Sequence, residues 1–181
     1  MEIEKKYLIQ EEGRSYATQE FFSIAPKVIN ALLDYTKGKR IRIDSLLITQ
    51  GYLPLGKGKE LCKSLGLDID FEIAEIRLRS KNKEYALTIK GEGTISREEE
   101  EIEITEEVFK KNWPLTSGKR LKKKRAAIRY RDLIAEIDFY QDRNLITAEI
   151  ECESEEVAKN LIPFGKDVTE DKKYKNKNLA R

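Results

Sequence analysis

Apolar and polar residues alternate with a period of two along most of this chain, the signature of half-buried strands. Residues 2–9, EIEKKYLI, set Glu2, Glu4 and Lys6 against Ile3, Tyr7 and Ile9. In EIRLRS, residues 75–80, Glu75, Arg77 and Arg79 oppose Ile76 and Leu78, and in YALTIK, 85–90, Thr88 and Lys90 oppose Tyr85, Leu87 and Ile89. SREEEEIEI puts Arg97, Glu99, Glu101 and Glu103 on one side. AEIDFY, 135–140, sets Glu136 and Asp138 against Ile137 and Phe139, and TAEIECE, 147–153, sets Glu149, Glu151 and Glu153 against Ala148, Ile150 and Cys152. Helices are few and short. One opens at Pro26, runs through Val28, Ile29, Leu32 and Leu33 and stops at Gly38. Thr105 caps EEVFKKNW, with acids early, lysines late and Pro114 beyond, and Ser154 caps EEVAKNLI ahead of Pro163. KELCKSLG, 59–66, adds a short turn of helix, and Gly91 and Gly93 mark a hairpin between strands ending at Lys90 and starting near Ile95.

A single strand of this kind ordinarily turns its charges to water. Here at least six strands carry ionisable residues on one face, with acids and bases segregated by strand. Long antiparallel sheets tend to close and so lose their edges. Closure with the polar faces inward predicts a charged tunnel whose apolar outside is covered by the helices. Its basic group is Lys6, Arg77, Arg79, Lys90 and Arg97, with Lys123 and Arg125; its acidic group is Glu2, Glu4, Glu99, Glu101, Asp138, Glu149 and Glu151. Like charges in a confined space require counter-charges. The acids suit Mg²⁺ or Mn²⁺, and the bases suit a polyanion such as a chain of phosphates. Together they describe metal-assisted phosphoryl chemistry.

Composition narrows the field further. The chain has 181 residues, 39% hydrophobic and 38% charged, enough for one modest core. Its 35 Lys and Arg against 33 Asp and Glu leave a formal +2, which is no basic coat for nucleic acid. The run GKRLKKKR, 118–125, suggests nucleic-acid contact or a localisation signal. A strand splitting its bases between tunnel and solvent is the preferred reading. There is no histidine, which excludes Ser-His-Asp and Cys-His nucleophiles, histidine zinc sites and histidine general bases. Cys62 and Cys152 stand ninety positions apart and form no readable metal, redox or disulfide framework. Cys152 falls on the apolar face of its strand, and Trp113, Tyr7, Tyr52 and Tyr85 are read as packing residues. No apolar run approaches roughly 18 residues, and the start of the chain lacks a signal peptide's apolar stretch, so a soluble cytoplasmic protein is expected.

EIEKKYLI resembles the N-terminal Glu-x-Glu-x-Lys signature of the CYTH superfamily, the triphosphate tunnel metalloenzymes. The agreement continues in order through QGYL at 50–53, IRLRS, LTIKGEGTISREEEEIEI, KKR at 123–125, EIDFY, AEIECESEE and DVTEDKKYKNKNLA, covering most of the chain. The resemblance implies an α+β fold, a closed eight-stranded antiparallel β-barrel with a few short flanking helices. It implies one domain over 1–181, from which this chain departs by insertions near 11–45 and 54–74, longer than in compact bacterial members, that cap a tunnel mouth or form a partner surface and bear on substrate choice. The family's metal-coordinating glutamates match Glu2, Glu4, Glu149 and Glu151, with Glu101 and Asp138 as further candidates. Its triphosphate-holding bases match Lys6, Arg77, Arg79, Lys90, Arg97, Lys123 and Arg125, although the run KKKR leaves a one-residue slip open at Lys123. Glu4, Lys6, Glu149 and Glu151 are the implied catalytic set. Thr169, Tyr174 and Asn176 match a C-terminal signature with a structural or mouth-lining role.

The activity this implies is hydrolysis of a triphosphate, inorganic tripolyphosphate foremost, using Mg²⁺ or Mn²⁺. One ion would bridge phosphate oxygens and another would activate water. The expected partner is a small-molecule triphosphate, with no nucleic acid and no membrane, for a monomer or homodimer. The alternatives are a class IV-like adenylate cyclase, a thiamine or nucleoside triphosphatase, and a noncatalytic polyphosphate-binding module. The cyclase branch carries a His-Phe pair ahead of its motif. This chain opens at MEIEKKYLI and has no histidine, which disfavours a cyclase.

Overall fold

The computed structural model describes residues 2–24, 28–30, 32, 35, 45–93 and 95–181. The alternating segments become strands of one antiparallel sheet. Eight strands of five or more residues form its body: β1 (Glu2–Glu11), β3 (Leu46–Tyr52), β4 (Glu75–Lys81), β5 (Glu84–Lys90), β7 (Glu99–Glu103), β8 (Arg120–Tyr130), β9 (Leu133–Tyr140) and β10 (Leu145–Glu151). Three strands of two residues, β2 (Arg14–Ser15), β6 (Ser96–Arg97) and β11 (Lys166–Asp167), each pair with β1. The order across the sheet is β11-β1-β10-β9-β8-β3-β4-β5-β7.

Among the described residues the sheet has eleven strands and is not the closed eight-stranded barrel expected from the sequence. The physical reason lies on β1. Closure would require the edge of β1 opposite β10 to accept β7 along its length. That edge is instead divided: β6 takes Glu2 and Ile3, β11 takes Tyr7 and Leu8, and β2 takes Gln10 and Glu11. The expected SREEEEIEI strand breaks at Glu98, so only its first two residues reach β1, while β7 pairs with β5.

Helices cover the apolar side. Thr105 caps α3 (Glu106–Asn112) by accepting from the Val108 amide at 3.2 Å, and Ser154 caps α4 (Glu155–Lys159) by accepting from Val157 at 3.2 Å. The latter stops at Lys159, short of the expected run to Ile162. The helix expected at 59–66 starts earlier, as α2 (Leu55–Ser64). Ahead of these, α1 (Gln19–Ile24) is followed by helical backbone at 28–30, 32 and 35, where Val28 and Leu32 are buried. Pro26, Leu33 and Gly38 of the helix expected there lie outside the described residues.

The odd-numbered face of β1, with Tyr7 and Ile9, packs with Ile137, Phe139, Ala148 and Ile150 under Phe21 and Phe164. A second cluster joins Ile76, Leu78, Leu87 and Ile89 of β4 and β5 to Leu61 and Cys62 of α2 and Phe109 of α3. Cys152 is half-buried against the first cluster. A third cluster ends the inward rows. Leu8, Tyr52, Leu121, Tyr140 and Leu145 meet Val168, Tyr174, Leu179 and Ala180 of the C-terminal segment, which includes α5 (Asn176–Leu179). Among the described residues no helix is long and apolar enough to cross a membrane.

The glycine of QGYL has a steric role here. A Cβ on Gly51 would sit 2.5 Å from Oγ1 of the fully buried Thr116. Gly51→Ala is expected to cost about 1–3 kcal/mol through overpacking. A denaturant melt would read that as a lower midpoint; an unchanged midpoint would mean that the 113–116 turn yields freely.

Candidate active site

The other face of the sheet is concave and encloses a cavity of about 80 Å³. All seven basic residues singled out from the sequence line it: Lys6, Arg77, Arg79, Lys90, Arg97, Lys123 and Arg125. Glu4, Glu149 and Glu151 line it as well. Six strands (β1, β4, β5, β6, β8 and β10) thus supply these side chains to one space, paired residues standing two apart as inward-facing positions of a pleated strand must. The register of β8 settles which lysine of KKKR points in. Lys123 is 2% exposed and faces the cavity, whereas Lys122 is exposed.

One wall is a dense ion-pair network. Lys6 of β1 stands opposite Glu149 of β10, and its Nζ lies 2.6 Å from Glu149 Oε1. Arg125 of β8 grips Asp138 with two bonds, Nε to Oδ1 and Nη2 to Oδ2, both 2.7 Å. The same guanidinium donates to Glu136 and Glu149, which sit directly opposite each other on β9 and β10. Like charges in opposed positions repel, and Arg125 is the cation that joins them. Lys123 Nζ lies 2.5 Å from Asp138 and 3.9 Å from Glu149.

Burial and charge compete in setting the protonation of this wall. Burial disfavours charge on Glu149, yet Lys123, Lys6 and Arg125 outweigh it and hold the carboxyl well below its usual range. Burial likewise opposes the charge on Lys6, and Glu149 with Tyr140 and Glu4 overcomes it, so the ammonium is strengthened. Lys123 goes the other way: burial and the neighbouring Arg125 lower its pKa despite Asp138 and Glu149.

The opposite wall is looser. Lys90 Nζ pairs with Glu99 at 2.6 Å, and Arg79 with Glu101 at 2.5 Å. Arg77 donates from Nη2 to Thr88 Oγ1 at 3.0 Å, but its buried Nε has no hydrogen-bond partner among the described residues. Such a donor costs about 1–3 kcal/mol unless an acceptor meets it. An anionic oxygen in the cavity would do so.

Two expected acids lie off the lining. Asp138 is fully buried behind Lys123 and Arg125, and Glu101 lies on the far side of Arg79. The Glu2 side chain lies outside the described residues; its backbone pairs with Arg97. The cavity also takes in Glu75, Glu99 and Glu136, which the alternation had placed on polar faces without assigning Glu75 or Glu136 to a site. Gln50, Tyr52, Thr169, Lys175, Asn176 and Lys177 complete much of the remainder. The C-terminal members have no periodicity to reveal them; the signature containing Thr169 and Asn176 was their sole signal. Tyr174 of that signature packs in the third cluster instead and donates to Glu11 at 2.9 Å.

Among the described residues no three acidic or cysteine side chains stand together as a preformed metal cage. The donor set still fits a hard cation. Glu4 and Glu151 occupy opposed positions on β1 and β10 and both line the cavity. Mg²⁺ commonly binds through one or two carboxylates, its own waters and substrate phosphates.

No protein-family model matches the chain. An inorganic triphosphatase of Nitrosomonas europaea is 43% identical over 112 residues, 59% of this chain and 74% of that protein. A crystal structure of an inorganic triphosphatase aligns with a TM-score of 0.55 at 32% identity, covering 99% of this chain and 94% of the other. A putative adenylyl cyclase from Hippeastrum shares the fold alone, with a TM-score of 0.52 at 16% identity over 88% of this chain and 83% of its own. The order of the motifs, the antiparallel sheet with its charged concave face and the Nitrosomonas relative agree: the chain belongs to the CYTH superfamily, in the family that holds that inorganic triphosphatase.

Proposed function

We propose that the cavity binds a linear triphosphate, inorganic tripolyphosphate foremost, and hydrolyses it with the aid of Mg²⁺ or Mn²⁺. The observation that carries this reading is the convergence of seven basic side chains from five strands on one cavity beside Glu4, Glu149 and Glu151. The activity by which the Nitrosomonas relative is named supports it.

On this reading the entering phosphates compete with the carboxylates that now hold Lys6, Lys123 and Arg125, and the Arg77 Nε gains an acceptor. Arg and Lys stabilise charge as it develops on the transferring phosphoryl. Glu4 and Glu151, opposed across β1 and β10, would hold the divalent ion. When bound, that ion shields phosphate oxygens and makes its water a better nucleophile. The partner is thus a small, multiply charged phosphate, encountered in the cytoplasm.

Phosphate release from tripolyphosphate, ATP, GTP, thiamine triphosphate and pyrophosphate, with and without each metal, tests the assignment. Tripolyphosphate should be cleaved fastest, since the cavity lining is dominated by groups that recognise phosphate oxygens. Cyclic AMP formed from ATP, or a strong preference for one nucleoside, would favour the alternatives. Tight tripolyphosphate binding without cleavage would favour a binding module.

The pH dependence follows from the opposite shifts of the two lysines. Lys6 is held charged, while Lys123 loses its proton below the usual lysine range. The alkaline fall of kcat/KM, which reports free-protein groups, should therefore track Lys123. Arg does not deprotonate in this range, so Lys123→Arg should move that fall to higher pH. An unmoved descending limb would assign it to another group.

A further inference from the structure

Asn176 touches three residues of the densely paired wall through the two ends of one amide. Its Oδ1 accepts from the Tyr140 hydroxyl at 2.5 Å and from Lys6 Nζ at 3.4 Å, and its Nδ2 donates to Glu149 Oε1 at 3.3 Å. Chemistry leaves one orientation for that amide. An ammonium only donates and a carboxylate only accepts, so oxygen must face Lys6 and the NH₂ group must face Glu149. Tyr140 is fully buried, and burial raises its phenol above the usual range, so it remains a donor to the same oxygen.

The backbone carrying Asn176 is anchored on both sides. Lys175 Nζ donates to the Gly93 carbonyl at 2.6 Å and Lys177 Nζ to the Ala74 carbonyl at 2.9 Å. Arg181 and Arg120 exchange two backbone hydrogen bonds of 2.9 Å. The amide is thus fixed in place by β1, β9 and its own segment.

Among the described residues the other groups that hold the Glu149 carboxylate are all cations, Lys6, Lys123 and Arg125. A polyanion in the cavity competes for each of those bases. It competes less for a neutral amide than for a cation, and Tyr140, by fixing the amide oxygen, keeps the NH₂ group turned to Glu149. We propose that Asn176, oriented by Tyr140, is a positioning residue that keeps Glu149 in place while the cavity's bases transfer to the triphosphate. This role rests on the proposed hydrolysis. It acts on turnover, because substrate capture belongs to the bases.

The test is kcat and KM for tripolyphosphate with Mg²⁺ in the wild type, Asn176→Ala, Asn176→Asp, Tyr140→Phe and the Asn176→Ala/Tyr140→Phe pair, with a thermal melt of each. Loss of a hydrogen bond to a charged group predicts a kcat lower by about 10- to 100-fold in Asn176→Ala, with KM within about threefold. Asn176→Asp keeps the acceptor for Tyr140 and Lys6 but lacks the donor, so it should not restore kcat. Tyr140→Phe should lose less, and the double variant should lose no more than Asn176→Ala alone, because Tyr140 acts through the amide. Independent structural defects would multiply instead. If Asn176→Ala melts below the assay temperature, the isosteric Asn176→Asp and Tyr140→Phe decide the question. An active wild type with kcat unchanged in these variants, or with the loss confined to KM, would overturn the role of Asn176 alone. An inactive wild type would overturn the proposed hydrolysis and this role with it.

Discussion

Arg125→Ala is expected to be among the most destabilising single substitutions in the concave face, lowering unfolding free energy by about 3–5 kcal/mol. The guanidinium makes two bonds to the fully buried Asp138 and joins Glu136 to Glu149 across β9 and β10. Its removal leaves Asp138 to Lys123 alone and sets two opposed glutamates against each other. For a domain of this size the loss corresponds to a melting temperature lower by roughly 6–20 °C. Lys122→Ala, three residues away on the same strand and solvent-exposed, is the control and should stay within about 0.5 kcal/mol. A loss below about 1 kcal/mol in Arg125→Ala would mean that the carboxylates find water or other partners, and that the network does not hold the wall together.

Glu149→Gln should have the largest effect on turnover, a fall of about 10²- to 10³-fold, because this carboxylate fixes Lys6, Lys123 and Arg125, the bases proposed to stabilise the transferring phosphoryl. The sequence alone suggests that such a change leaves the fold intact, as it does for Glu151→Gln. The structure separates the two. Glu151 is exposed, whereas Glu149 is buried between Lys6, Lys123 and Arg125. Neutralising it removes the carboxylate paired with Lys6 and leaves Asp138 and Glu136 to offset Lys123 and Arg125, so Glu149→Gln should also destabilise the protein at neutral pH. The sign of the pH dependence is fixed by the depressed pKa. The stability contributed by Glu149 is complete above the unfolded carboxyl value of about 4.3 and is lost as pH falls through its lower folded value. The gap between wild type and variant should therefore close in acid. Equal stability at neutral pH, with normal turnover, would remove Glu149 from the account.

Much of this was legible in the residues because strand alternation is a strict geometric rule. With β1 and β4 as strands, Lys6 must share a side with Glu4, and Arg77 with Arg79, and the structure places all four on one cavity. The rule fails where it has no contrast to work with. KKKR offers consecutive lysines, so the pairing of β8 with β3 and β9 was needed to turn Lys123 inward. Closure failed for a different reason: local pattern does not reveal that β1 shares one edge among β6, β11 and β2. The burial of Asp138 behind two bases was equally hidden, since alternation gives a face but not a depth. Lys175, Asn176 and Lys177 reach the cavity from a turn and a four-residue helix whose position depends on the apolar contacts of Tyr174, Leu179 and Ala180. No periodicity marks such a segment.

The central claim is that the charged cavity hydrolyses a linear triphosphate with a divalent metal. It is tested most directly by the initial rate of orthophosphate release from tripolyphosphate by the purified wild-type protein, first with Mg²⁺ or Mn²⁺ and then with the metal chelated. The account predicts sustained release with metal and loss of that release on chelation, restored by adding the ion back. Release no faster than the protein-free control with either metal, or a rate indifferent to chelation, would contradict it.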